Sequence, residues 1–122
     1  MKTTVLSGLA SLALVAVLGF ASTASADPLG GSISGVNRAP ALGAGVHKII
    51  YNGGEQADFK IAGDGDTALN IVVKDGAGNI VVQTRGPGDR ARVSWMPNRT
   101  AVYTIYVINS GSVYNNYAWR AY

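Results

Sequence analysis

Three aspartates, Asp64, Asp66 and Asp75, a single histidine, His47, and the arginines Arg85, Arg90, Arg92 and Arg99 are the side chains through which this sequence could do chemistry. Asp64-x-Asp66 is how oxygen-ligand loops for hard cations begin, and Asp75 falls at the twelfth position counted from Asp64. A calcium-binding EF-hand loop needs glycine at its sixth position and a bidentate glutamate at its twelfth, where this chain has Leu69 and Asp75. All three aspartates also lie in glycine-rich clusters, where a carboxylate accepts hydrogen bonds from nearby backbone amides and so shapes a turn. They are weak candidate ligands for calcium, and turn formation is the stronger reading.

No cysteine is present, so His47 cannot belong to a His/Cys metal cluster or activate a cysteine nucleophile. No motif such as Gly-x-Ser-x-Gly supports a Ser-His-Asp triad, and no spacing pairs Glu55 with an aspartate as acid and base. The chain is therefore expected not to be an enzyme, with a small secreted hydrolase the third reading. Arg90 and Arg92 alternate with Ala91, Val93 and Trp95, which puts both on the wet face of one strand. They are the candidate ligand-binding residues, toward a polyanion, although charge protecting a soluble edge strand is the stronger reading. Tyr103, Tyr106, Tyr114, Tyr117, Trp119 and Tyr122 would make either a sugar-stacking platform or, as aromatic residues usually do in sheets, core and cross-strand pairs.

The elements that must position these groups are strands. Ala57, Phe59 and Ile61 alternate with Gln56, Asp58 and Lys60, and Leu69, Ile71 and Val73 repeat the pattern. Residues 63–67, Gly-Asp-Gly-Asp-Thr, and 75–79, Asp-Gly-Ala-Gly-Asn, separate these runs from each other and from 80–84, so an antiparallel meander is the economical reading. A strand at 46–51 precedes them, and Arg90 to Trp95 forms another that ends before Pro97. Residues 100–109, TAVYTIYVIN, are apolar on both faces, as in a central strand with one side on the core and the other covered by a loop or partner. Residues 114–122 close the domain. About seven short strands predict an all-β, antiparallel β-sandwich or jelly-roll-like fold over 46–122, and seven is too few for a bacterial membrane barrel.

Residues 1–26 stand apart. Lys2, an apolar run over 5–20 and Ala24-Ser25-Ala26 have the order of a cleavable signal peptide, so the protein is expected to be secreted or periplasmic with no membrane span after cleavage. Residues 27–45, with five glycines and two prolines, read as a linker. Removing 26 of the 122 residues leaves 96, with nine basic and seven acidic side chains, an excess too small to imply nucleic acid. Without cysteine, an exported domain of this size must be held by packing alone.

The ordered motifs GGE at 53–55, GDGDT at 63–67, KDGAGNIV at 74–81, VSW-x-P at 93–97, VYTIYVIN at 102–109 and GSVYNNY at 111–117 resemble the bacterial pre-peptidase C-terminal domain and its stand-alone secreted relatives. The resemblance spans about 46–122 and implies a non-catalytic β-sandwich accessory module of a secreted protein, used in targeting, substrate attachment or stabilisation, with calcium bound in some members. Relatives commonly follow GDGDT with Asp-Leu-Asp-Leu, whereas here Ala68-Leu69-Asn70-Ile71 lacks both carboxylates, which argues against a calcium role. No peptidase domain precedes the module, so a free-standing version is expected. The partners implied are an extracellular or cell-envelope protein or polysaccharide, with polysaccharide or polyanion binding as the alternative to a general accessory role. Intact mass of the exported protein is expected to place its N-terminus at Asp27; uncleaved precursor in the membrane fraction would overturn the signal-peptide reading.

Overall fold

The computed structural model describes residues 31–122, so the leader read at 1–26 lies outside it. Eight strands follow one another: β1 (Ile33–Ala39), β2 (Gly43–Tyr51), β3 (Ala57–Ala62), β4 (Leu69–Lys74), β5 (Ile80–Gln83), β6 (Arg90–Trp95), β7 (Ala101–Asn109) and β8 (Asn115–Ala121). There is no helix among the described residues. Two four-stranded antiparallel sheets, ordered β1-β8-β3-β6 and β2-β7-β4-β5, pack face to face. The first strand pairs with the last, the second with the seventh, the third with the sixth and the fourth with the fifth. This is the rolled-hairpin order of a jelly roll.

That order corrects the meander. Of the three alternating runs, only β4 and β5 pair, through Val72 with Gln83 and Val73 with Val82. β3 lies in the opposite sheet, and residues 63–67 form an arch between sheets rather than a hairpin. The arch is held from outside itself. Gly63 N–H donates to Asp89 O at 2.9 Å, Asp64 N–H to Asn115 Oδ1 at 3.0 Å and Gly65 N–H to Asp89 Oδ2 at 2.6 Å.

The linker reading fails over most of its length, because 33–39 are β1 and β2 begins at Gly43 rather than Val46. The alternation of β1 is hidden by what its inner face must accommodate. Gly35 lies under the Trp119 indole, where a Cβ would come within 3.1 to 3.2 Å of the ring, and Asn37 Nδ2 donates to Tyr117 Oη at 3.3 Å. Ile33 and Ala39 at its two ends face the core, but the apolar residue at its centre, Val36, faces solvent and is 82% exposed. An inner face of glycine and asparagine beside an outer valine is the reverse of the pattern that announces a strand.

β7 is central, as its composition predicts, with β2 on one side and β4 on the other. Tyr103, Ile105 and Val107 point into the core, whereas Val102 and Ile108 on the other face stay exposed and are not covered by any of the described residues. The core joins Ile49, Leu69, Ile71 and Val73 of one sheet to Phe59, Ile61, Val93 and Tyr117 of the other. At one end Trp95 meets Tyr51 and Tyr103 with ring centroids 4.8 and 5.6 Å apart, near-perpendicular contacts of the kind that suit the aromatic quadrupole. Phe59 is fully buried, so Phe59→Ala is expected to cost about 3–5 kcal/mol, a large share of a small domain's stability. Val36→Thr on the outer face of the same sheet is expected to leave the urea midpoint nearly unchanged, and the pair of denaturation curves checks the assignment of faces.

Candidate functional site

The outer face of the β1-β8-β3-β6 sheet carries the largest gathering of like charge among the described residues. Arg90, Arg92 and Ser94 of β6 point outward because Ala91, Val93 and Trp95 fill the core side. β3 lies next to β6 in a register that sets Lys60 opposite Arg92, and on its other side the register with β8 sets Lys60 opposite Arg120. Ser34 of β1 continues the row beyond Arg120. Three cations therefore stand side by side on three adjacent strands. Their strand spacing is about 4.8 Å.

The next row along the strands has small residues at its centre: Ala62 pairs with Arg90 on one side and with Ala118 on the other, and Ala118 pairs with Val36. The contrast between long cationic side chains and short alanines leaves an open groove of about 800 Å³, within the range of ligand sites. Among the described residues the only ion pair joins Arg92 to Asp58, with Nη2 3.0 Å and Nε 3.2 Å from Oδ1. Ser94 Oγ donates to the same oxygen. Partial burial alone would raise the Asp58 pKa, but the hydrogen bonds from Ser94 and Arg92 outweigh it and hold the carboxyl below its ordinary value. Lys60, Arg90 and Arg120 have no carboxylate partner among the described residues. The Tyr122 ring lies 5.8 Å from the Arg92 guanidinium and 5.5 Å from that of Arg120, within cation–π reach of both.

Like charges directly opposite one another destabilise a sheet, and two unit charges about 4 Å apart repel by about 1 kcal/mol even in water. The row therefore works against the fold that displays it. Sequence reading found Arg90 and Arg92 but missed Lys60 and Arg120, because each is an ordinary wet-face residue on its own strand and only the strand order brings them together. Of the other arginines in that sequence cluster, Arg99 lies on a separate depression with Asp75 and Asn98.

The aspartates serve the turns. Asp64 Oδ1 accepts the Asp66 N–H at 3.0 Å and Oδ2 the Asn116 N–H at 2.9 Å, and these backbone bonds, the Asn116 one foremost, keep its pKa below the usual range. Asp75 Oδ1 accepts from Ala77 and Asn79 N–H at 3.0 and 2.9 Å, and its pKa is likewise lowered. β4 separates Asp64 and Asp66 from Asp75 by its full length, about 17 Å, so the three cannot share one ion. No group of three or more His, Cys, Asp or Glu side chains gathers among the described residues. The donor set does not fit a calcium site.

The His47 side chain turns inward. Its ring packs 4.7 Å from Trp119 and 5.4 Å from Phe59, and Nε2 lies 2.7 Å from Tyr117 Oη. Tyr117 Oη accepts from Asn37 Nδ2, which leaves its own hydrogen for the histidine nitrogen. Close approach of β2 makes this contact: a Cβ at Gly45 would overlap the Tyr117 hydroxyl. Burial lowers the His47 pKa to about 4 and pushes Tyr117 up to about 12. The partner of His47 is a tyrosine, not the serine or carboxylate of a triad. The aromatic side chains form no single platform either, since Tyr103 and Tyr117 are core residues, Tyr106 lies on the opposite sheet and Tyr114 stacks under Arg38 at 4.0 Å.

No family model matches the sequence, and no curated protein matches it. Among solved structures, the chain is similar to the pre-peptidase C-terminal domain of collagenase from Bacillus anthracis, at 12% identity and a TM-score of 0.54, over 74% of this chain and 90% of that one. The fold is that of a pre-peptidase C-terminal domain. The likeness read from the ordered motifs at 53–117 is thus present in three dimensions.

The buried histidine sets a pH dependence. The unfolded chain protonates His47 near 6.5 and the folded one only near 4, so its contribution is complete above pH 6.5 and is lost as pH falls from 6.5 toward 4. The loss amounts to about 3 kcal/mol. Thermal denaturation is expected to show that decline, and His47→Gln is expected to flatten it, leaving the aspartate-linked losses at more acid pH.

Proposed function

We propose that this chain is a secreted or periplasmic, non-catalytic β-sandwich module that binds an anionic polymer outside the cytoplasm through the outer face of the β1-β8-β3-β6 sheet. The observation that carries this reading is the register-aligned row Arg92, Lys60 and Arg120 beside an open groove, with one carboxylate for the four cations of the groove. A fold bears such repulsion at no benefit unless an anion relieves it. Export is supported by the leader at 1–26, and no helix among the described residues is long and apolar enough to cross a membrane. The accessory role is supported by the fold, which in the collagenase belongs to a domain set beside an enzyme. Attraction is electrostatic and the face is open, so affinity is expected to fall with ionic strength.

Retention of the purified protein on heparin, teichoic and polyuronate matrices, with neutral dextran as the control, tests the reading. Replacing Lys60 and Arg120 together with glutamine is expected to weaken binding at low salt by about tenfold or more, or about 1.4 kcal/mol, and to flatten the salt dependence. Arg85→Gln and Arg99→Gln are expected to change little. Lys60→Gln by itself is expected to raise folding stability by up to about 1 kcal/mol, since it removes a charge from between two others. Absence of binding by the unaltered protein to every anionic matrix at low salt would overturn the proposal.

A further inference from the structure

Resting on that reading, we infer that the polymer is a carboxylated polysaccharide, a polyuronate with one carboxylate per sugar ring, whose chain runs across the strands with its rings seated over Ala118 and Ala62. The groove has a direction. Its floor crosses β8 and β3 at two alanines, continues to Val36 on β1 and ends at Arg90 on β6, and the cationic row borders it along the same line. Arg120 and Arg92 are two strand spacings apart, about 9.6 Å. That distance is close to the length of two sugar rings. In an extended 1,4-linked chain alternate rings face the same way, so the carboxylates of a first and third ring reach Arg120 and Arg92, and the flexible Lys60 follows the ring between them.

Arg120 suits a planar carboxylate through paired N–H donors, Arg92 offers the guanidinium edge that Asp58 does not occupy, and Lys60 contributes a point charge. The apolar floor suits the C–H faces of a ring. Tyr122, within reach of both guanidinium groups, closes the side of the row away from the alanines.

Other linear anions match less well. An acidic peptide in extended form repeats its same-face side chains about every 6.7 Å, which fits neither one strand spacing nor two. A poly(glycerol phosphate) has no ring to cover the alanines. A heavily sulfated glycan brings several charges per disaccharide, more than a row of three cations can pair, one of them already shared with Asp58.

Calorimetry with sodium oligogalacturonates of two, three and four rings, without divalent cations, tests the inference against heparin oligosaccharides, polyglutamate and poly(glycerol phosphate) at one low ionic strength. Affinity is expected to rise about tenfold from two rings to three and little thereafter, because the third ring completes the Arg120 to Arg92 span. Arg120→Gln is expected to remove that step, whereas Arg99→Gln, on a separate depression, is expected to weaken all lengths by less than about threefold. Tighter binding of heparin, polyglutamate or poly(glycerol phosphate), lost on Lys60→Gln and Arg120→Gln, would overturn the uronate assignment and leave the polyanion reading standing. Failure of every polyanion to bind would overturn both.

Discussion

β3 is hydrogen-bonded on both sides, to β6 and to β8, and this one constraint sets the two faces of its sheet at once. Inward, it delivers Phe59 and Ile61 to the centre of the core, where they are almost completely buried. Outward, it sets Lys60 between Arg92 and Arg120. Because the side-chain period of a strand is two, a slip of one residue would exchange these faces, placing a lysine in the core and a phenylalanine in water. The burial of Phe59 therefore protects the charge row from register error. The energetics of the core hold in place an arrangement that electrostatics alone would disperse.

With no disulfide available, the ends of the rolled strands are fastened by buried amides. Asn115 is inaccessible to solvent, and its side chain accepts from Asp64 N–H and donates to Thr67 and Asp89, which ties the β3–β4 arch and the β5–β6 loop to the start of β8. Asn109 does the same at the end of β7, donating to the carbonyls of Ala39 and Val113 and accepting from Gly111 N–H. A buried amide is tolerated because it is fully bonded, and leaving one partner unpaired costs about 1–3 kcal/mol. These contacts are specific in a way that apolar packing is not, since each donor and acceptor has one geometry that satisfies it. They hold the arch that carries Asp64 and the loop that carries Asp89.

The two outer faces differ in kind. The β2-β7-β4-β5 sheet exposes Val46, Val102 and Ile108, which the register pairs with Tyr106, Ile50 and Ala44 in a largely apolar stretch. The opposite sheet concentrates charge of one sign about a groove of small residues. Like charges loaded on adjacent strands lower stability, and the surplus needed to carry them comes from the paired sheets beneath.

Much of the architecture was legible in the sequence. Period-two alternation at 57–61, 69–73 and 90–95, glycine-rich turns and the doubly apolar run at 100–109 follow from local sterics and burial, and they are enough for an antiparallel sandwich with β7 at its middle. So was the local part of the roles of Asp64 and Asp75, because a carboxylate followed by glycine meets its own backbone amides within a few residues, whereas the Asn116 N–H that Asp64 also accepts comes from β8. β1 was not legible, since its inward positions are a glycine beneath Trp119 and an asparagine bonded to Tyr117, and both partners lie some eighty residues away. The inward turn of His47 was hidden for the same reason, its environment being made by Phe59, Tyr117 and Trp119 from the opposite sheet. Arg90 and Arg92 are marked as a pair by their own strand, but the groove they line exists only through strand order. Local chemistry determines which face of each strand is wet; only tertiary pairing decides which wet faces are neighbours, because hydrogen bonds between strands join residues that no sequence window contains.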